Sequence, residues 1–176
     1  ASDGPAVVLT HGAAMDHTTF DDQVAALREH GYRTIAWDLR GHGASMLAPG
    51  TRFTVADALE DLRALIDACG LDRPVLMGHS LGGNLSQAFV RAYPGRAGGL
   101  IVIDATWNAG PLSALERFGL RISGPVLALI PARSLPGIMA RASAETPAAI
   151  ARTEAVFARL PKPRFLDVWR ATVSLV

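Results

Sequence analysis

Cysteine is nearly absent from this chain, and histidine stops early. The single Cys69 cannot form an intrachain disulfide, and no Cys or His pair stands at metal-ligand spacing. Neither a disulfide scaffold nor a metal centre is therefore expected. The lone thiol is compatible with a cytoplasmic address. All five histidines, His11, His17, His30, His42 and His79, lie in the first 79 residues. Charge of one sign is missing too: 17 Lys and Arg stand against 16 Asp and Glu, scattered along the chain, for a net charge of +1. That leaves no basic stripe for nucleic acid and no lysine cluster for an anionic membrane. The most apolar stretch, Ile122 to Ala132, is too short to span a bilayer and contains Pro125 and Pro131. Ala1 to Pro5 lacks the charged segment and apolar core of a signal peptide. No internal repeat or low-complexity tract is visible.

What is present is a globular chain. Its 176 residues are 49% hydrophobic and 19% charged, enough for one domain with a sizeable core, alone or with a small appendage. The most informative stretch runs from Pro74 to Asn84, Pro-Val-Leu-Met-Gly-His-Ser-Leu-Gly-Gly-Asn. Val75, Leu76 and Met77 read as a buried strand. Gly78-His-Ser-Leu-Gly82 matches G-x-S-x-G, and Asn84 to Tyr93 reads as a helix stopped by Pro94 and Gly95. Strand, tight turn and helix are the context in which this pattern holds a nucleophilic serine on a sharp turn. The plainer reading is a serine that caps a helix after a glycine turn, since Ser is a favoured N-cap.

Around this stretch the chain alternates. Ala6 to Thr10 is a continuous apolar run, expected to be a buried parallel strand, and His11, Gly12 and Ala13 follow it. Thr18 looks like the cap of a helix that carries Phe20, Val24 and Leu27 and ends at His30 and Gly31. Thr34 to Trp37 is a short strand running into Asp38-Leu-Arg-Gly-His-Gly-Ala-Ser45. Thr54 caps a second helix, with Asp57 three residues on and an apolar face of Val55, Leu59, Leu62, Leu65 and Ile66. Leu100 to Ile103 is a fourth strand, ending at Asp104. This βαβ alternation predicts a mostly parallel, doubly wound α/β sheet with helices on both faces. Active sites in such sheets lie at the carboxyl ends of the strands, which gathers His11 to Ala13, Asp38 to Arg40, Ser80 and Asp104 along one edge.

After Asp104 the alternation ends. The region reads as helices broken by Pro125, Pro131, Pro136, Pro147, Pro161 and Pro163, with one helix over Ala148 to Leu160 and another over Phe165 to Leu175. The division expected is 1–106 as a partial α/β core and 107–176 as a truncated helical cap. Leu127, Leu129, Ile138, Met139, Phe157 and Trp169 either line an acyl pocket or simply pack these helices together, the second reading being favoured for each residue.

The G-x-S-x-G turn in its strand–helix setting, the His11-Gly12-Ala13 loop and the Asp38 to Ser45 turn together resemble the α/β-hydrolase family, over about Val7 to Asp104. The resemblance implies a serine hydrolase acting on a carboxylic ester or related small acyl substrate, with no cofactor. It implies Ser80 as nucleophile and the backbone N–H groups of Ala13 and Leu81 as the oxyanion hole. His11, Asp38, Arg40 and His42 then order loops, and a helical cap follows the strand ending at Asp104. Thioesterases, lactonases, C–C hydrolases and haloperoxidase-like members look alike at this level. Dehalogenase and epoxide-hydrolase members carry Asp where Ser80 stands, so that chemistry is disfavoured.

The family's triad runs Ser, then Asp or Glu, then His, and no histidine follows Ser80 here. His79 is expected to point away from the Ser80 hydroxyl. Asp104 is a candidate acid, weighed against the favoured plainer role of helix cap or loop hydrogen bond. The first two and the last strands of the family are missing, so the sequence reads as an internal segment whose general base lies outside it. The competing expectation is a catalytically inactive hydrolase-like binding domain. Nucleotide binding is argued against, since the glycine-rich stretches satisfy neither G-K-[ST] nor G-x-G-x-x-G. Oligomeric state is open at this stage.

Overall fold

The computed structural model describes residues 4–48, 50–106 and 112–175. Four short, apolar strands form its centre: β1 (Ala6–Thr10), β2 (Arg33–Trp37), β3 (Val75–His79) and β4 (Gly99–Ile103). All neighbouring strands pair in parallel, in the order β2-β1-β3-β4. Val8 lies opposite both Ile35 and Leu76, so β1 and β3 are central. Among the described residues β2 and β4 are the edges, and Leu100 to Ile103 on β4 are partly exposed.

Helices α1 (Asp21–Glu29), α2 (Val55–Ala68) and α3 (Leu81–Ala92) connect the strands and cover both faces. On one face Val8, Leu76, Leu62, Ile66 and Phe89 are closed in together. On the other, Val7, Leu9 and Met77 pack with Phe20, Val24 and Leu27. Each such side chain, fully buried, contributes roughly 1.5–3 kcal/mol. Because helices cover both faces, the strands are continuously apolar rather than alternating.

Thr54 caps α2 as its spacing predicts, accepting from Asp57 N at 3.1 Å. Thr18 does not cap α1. A 3-10 turn, His17–Phe20, precedes that helix, and its cap is Asp16, whose Oδ1 accepts from Thr18 N at 3.1 Å and also from the Thr18 hydroxyl. The turn therefore starts earlier than expected, and the Thr18 hydroxyl donates to the capping carboxylate rather than capping a helix itself.

Beyond β4 come α4 (Ala114–Leu129), α5 (Leu135–Ser143), α6 (Pro147–Phe157) and α7 (Lys162–Val173). Pro136, Pro147 and Pro163 stand in first turns, where the missing N–H leaves no bond unmade. Pro125, expected to break the helix, lies inside α4. Gly124 before it has no Cβ to clash with the proline ring, which relieves one of the costs of proline there, the bond lost to the missing N–H remaining. Residues 107–111, which include the expected boundary between core and cap, lie outside the described residues. No helix among the described residues is long and apolar enough to cross a membrane.

Candidate active site

Ser80 stands between the last residue of β3 and the first of α3, with φ 51° and ψ −118°. A serine rarely adopts this backbone, and it persists only where its surroundings dictate it. Two hydrogen bonds and two close backbone approaches do so. Ser80 N donates to Ile103 O of β4 at 2.9 Å, and Ser80 O accepts from Asn84 N at 3.0 Å. The two glycines of the motif close the turn. A methyl group on Gly78 would stand 2.2 Å from Gly82 O, and one on Gly82 would stand 2.0 Å from Thr10 O. Both neighbours are backbone and cannot swing aside. The helix thus presses onto β1 and the turn onto the helix, which only glycine permits. The Ser80 hydroxyl makes no capping bond to α3, so the plain N-cap reading of this serine does not hold.

The loop after β1 lies beside this turn. A methyl group on Gly12 would be 3.2 Å from Ser80 Cβ and 3.0 Å from His79 Nδ1. Ala13 and Leu81 share one apolar cluster with Leu39 and Leu85. Among the described residues neither the Ala13 N–H nor the Leu81 N–H has a hydrogen-bond partner. Leu81 opens α3, so its N–H belongs to the positive end of the helix dipole. The Leu81 amide thus adjoins Ser80 in the chain and the Ala13 amide follows Gly12, which approaches Ser80 Cβ, and both hydrogens are free among the described residues.

Two histidines lock this loop to the one after β2. His11 Nε2 accepts from Leu39 N at 3.0 Å, while Nδ1 pairs with Gly12 O at 2.8 Å. His42 Nε2 accepts from Ala14 N at 3.2 Å, while Nδ1 pairs with Arg40 O at 3.2 Å. Each ring thus carries its proton on Nδ1 and reaches across to the other's loop. The ring centroids are 5.1 Å apart and both side chains are wholly buried. Burial, reinforced by the neighbouring His42, pushes His11 down to about 3, and burial also lowers His42. Both are neutral struts. The sequence pointed to loop-ordering roles but not to this reciprocal clasp. Their positions just past adjacent strand ends were the available signal.

Asp38 and Arg40 hold the same turn. Asp38 accepts from Ala44 N at 2.8 Å, His17 N at 2.8 Å and His17 Nδ1 at 2.9 Å. Those bonds hold its carboxyl below the usual range despite burial. Arg40 forks onto Asp61 of α2, with Nε and Nη2 2.5 and 2.6 Å from its two carboxylate oxygens.

His79 Nε2 lies 3.9 Å from Asp104 Oδ2, and its buried Nδ1 has no partner. Desolvation lowers its pKa against the pull of Asp104, so at neutral pH this is not an ion pair. No hydrogen bond joins His79 to Ser80 among the described residues. Asp104 sits at φ 47° with its side chain 89% exposed. Asn84 and Gln87 of α3 hold the following Thr106, whose hydroxyl donates to Asn84 Oδ1 at 3.1 Å and whose carbonyl accepts from Gln87 Nε2 at 2.9 Å.

The helical region meets the site edge through ties invisible in the sequence. Arg159 Nη1 pairs with the buried Asp16 Oδ2 at 2.6 Å, and Asp167 Oδ2 accepts from Phe53 N at 2.8 Å. A groove of about 340 Å³ runs between Met15, His17, Gly43, Met46 and Arg159. A smaller cavity of about 20 Å³ is lined by Ala14, Met139, Phe157 and Phe165. Ser80 lines neither. Of the acyl-pocket candidates, Leu127, Met139, Phe157 and Trp169 pack into one cluster with Ala14, whereas Leu129 and Ile138 face outward.

A family model described as alpha/beta hydrolase fold matches residues 5–146. A Variovorax paradoxus protein named provisionally as the carbamate hydrolase RutD is 32% identical over 122 residues, 69% of this chain and 46% of that protein. A non-heme chloroperoxidase of Streptomyces lividans is 38% identical over 104 residues, 58% of this chain and 37% of the relative. The chain thus spans less than half the length of these relatives. A thermophilic esterase from Thermogutta terrifontis superposes with a TM-score of 0.75 at 28% identity, covering 97% of this chain and 64% of its own.

Proposed function

The chain belongs to the alpha/beta-hydrolase family, and we propose that its protein is a serine hydrolase acting on a carboxylic ester or a related small acyl compound. The observation that carries this reading is the strained Ser80, whose hydroxyl caps nothing, beside two unpartnered backbone N–H groups. In the proposed reaction the Ser80 oxygen bonds to the substrate carbonyl carbon and its proton passes to a general base. The oxyanion rests on the Ala13 and Leu81 amides. The carbonyl re-forms, and the leaving alkoxide departs with that proton. Water then repeats the sequence on the acyl-enzyme and frees the acid.

None of the five histidines here suits the base. His11 and His42 spend both nitrogens on the clasp, His17 is held by Asp38, and His30 Nδ1 pairs with Ala26 O on α1. His79 makes no bond to Ser80. The base is therefore assigned to residues outside this sequence. Asp104, beside His79 at the end of β4, is retained as a candidate acid with the exposed-loop role as its rival. The region from α4 to α7 is proposed as the cap, tied down by the Arg159–Asp16 pair.

The same histidine geometry favours one second reading, a hydrolase-like domain that binds acyl compounds without turnover. An active-site fluorophosphonate applied to the full-length protein separates the two. Covalent labelling that is lost in Ser80→Ala, with esterase activity reduced by at least ~10³-fold, supports the hydrolase. Full activity in Ser80→Ala overturns it, and absence of both labelling and turnover in the parent favours the binding domain.

A further inference from the structure

Helix α4 buries none of its own residues completely, although it is apolar along most of its length. One face is engaged: Ser123 Oγ accepts from Trp169 Nε1 of α7 at 2.8 Å, and Leu127 packs in the same cluster. The other carries Leu115, Phe118, Ile122, Val126 and Leu129, exposed by 79, 59, 42, 51 and 84%. At 3.6 residues per turn these five fall within about 80° of one another, a single straight stripe. Among the described residues nothing packs on it.

The stripe has a property that a random apolar surface lacks. Counted from Ile122, its members stand seven and four residues before and four and seven residues after. It reads identically in both directions, which is the requirement of an isologous two-fold contact. We propose that α4 pairs antiparallel with α4 of a second copy across an axis through Ile122. Leu115 then meets the other copy's Leu129, Phe118 meets Val126, and Ile122 meets itself.

Three further observations favour a second copy as the occupant. Gly119 lies on one shoulder of the stripe, and the space where its Cβ would stand is open, which lets two backbones come close. Antiparallel pairing sets the two helix dipoles head to tail. The five side chains amount to roughly three wholly exposed apolar residues per copy. Phe118 belongs to a class that buries about 150–250 Å² and the aliphatic members bury less, so a pair that covers the whole stripe removes at most on the order of 1,000 Å² from water, the size at which specific interfaces begin. A lipid surface fits less well, because basic residues should flank the stripe along its length. Arg117 and Arg121 lie in the first half of α4, beside Glu116, and the half from Ile122 to Leu129 carries no charge.

The test is the register as well as the mass. The full-length protein, with Cys69→Ser and any further cysteine removed, receives single cysteines in α4 and is exposed to a mild oxidant or a short bis-maleimide. Ile122→Cys is expected to give a covalent dimer by itself. Leu115→Cys and Leu129→Cys are expected to give one only when mixed. Self-coupling of Leu115→Cys would mean a parallel pair and overturn the proposal. Light scattering on the uncoupled protein is expected to give twice the chain mass at tens of micromolar, and a monomer at that concentration overturns it. Ile122→Glu, which places two like charges on the axis, is expected to weaken the dimer at least tenfold with an unchanged circular dichroism spectrum. If Ile122→Glu fails to fold, Leu129→Ser at the most exposed position must show the same weakening at smaller size. An unweakened dimer in the folded variant overturns the proposal. So does a monomer that floats with anionic vesicles through this stripe.

Discussion

Helices α3 and α4 are both amphipathic, but they are held in opposite ways. Eight of the twelve residues of α3 are buried, including the polar Asn84, Ser86 and Gln87. None of the sixteen residues of α4 is. Around α3 the buried polar groups act as struts: Asn84 and Gln87 hold Thr106, His11 holds Leu39 and His42 holds Ala14. Around α4 one part-buried bond, from Trp169 Nε1 to Ser123 Oγ, lies mid-helix, while Ser113 and Glu116 form a capping box at one end and Lys162 Nζ reaches Ala128 O at 2.6 Å at the other. A buried strut left without its partner costs its full desolvation, whereas an exposed cap competes with water. The sheet region therefore fixes Ser80 and the two loops by buried hydrogen bonds and close backbone contacts. The helical region is bound by apolar packing and a few exposed pairs, and packing of that kind tolerates changes of side chain.

The largest expected effect lies where the two backbones touch. Gly82→Ala puts a methyl group 2.0 Å from Thr10 O and 2.7 Å from His11 O, both main-chain atoms. Neither can move without breaking β1 or the loop that carries Ala13. A loss of at least ~4 kcal/mol is expected, the range reserved for named structural catastrophes. In practice the variant should be recovered unfolded or aggregated. Soluble Gly82→Ala with an unchanged urea midpoint would mean that the close approach is wrong.

Next comes the histidine clasp. His11→Ala strips the acceptor from Leu39 N and leaves a hole in a closed site, which should cost about 2–4 kcal/mol. The pH dependence gives a second readout. The folded chain keeps His11 neutral down to about pH 3, whereas an unfolded chain protonates it near 6.5. Between those values the unfolded state binds more protons, so stability must fall as pH is lowered through that window. The slope reaches about 1.4 kcal/mol per pH unit for this one group. His42 adds to it in the same direction. Urea titrations from pH 7.5 to 4 should show the parent losing stability steeply and His11→Ala more gently. Parallel curves would place the acid sensitivity elsewhere.

These two effects also mark what the sequence could tell. The strands were legible because both faces are covered, which makes Ala6 to Thr10 and Val75 to Met77 unbroken apolar runs. The turn at Ser80 was legible because its steric demand falls on residues 78 and 82, next to it in the chain. The clasp was not, because each of its long bonds spans 28 residues and neither histidine signals which backbone N–H it will meet. Thr18 was misread as a cap because a 3-10 turn capped by Asp16 begins two residues earlier, and the Thr18 hydroxyl donates to that carboxylate instead of accepting from the helix. Pro125 was misread as a break because a proline's cost, a lost bond and a ring clash eased in part here by Gly124, does not by itself end a helix held by its neighbours. The ties from Arg159 to Asp16 and from Phe53 to Asp167 cross more than 100 residues and leave no local pattern. Legibility thus followed sequence distance: the Ser80 turn could be read from a short motif in its strand–helix setting, the roles of Leu81 and Ala13 came only from the family resemblance and remain proposals, and the long-range struts beneath them left no local pattern.

The smallest effect sharpens the contrast because it uses the same chemical change as the largest. Gly119→Ala in α4 adds a methyl group where nothing stands within 4 Å. The gain is that of replacing glycine by the best helix former in a helix interior, about 0.5–1 kcal/mol, arising mostly from the reduced freedom of the unfolded chain. Measured at protein concentrations low enough to keep α4 unpaired, the variant should unfold at slightly higher urea with an unchanged slope. At high concentration the sign can be checked against the pairing of α4. There the methyl group occupies the shoulder where a second backbone is to approach, and dimer affinity should fall while monomer stability rises. One added carbon atom would then be fatal in α3, helpful in isolated α4 and harmful in paired α4. If Gly119→Ala instead destabilised the dilute protein by more than ~1 kcal/mol, that face of α4 would have to be covered already.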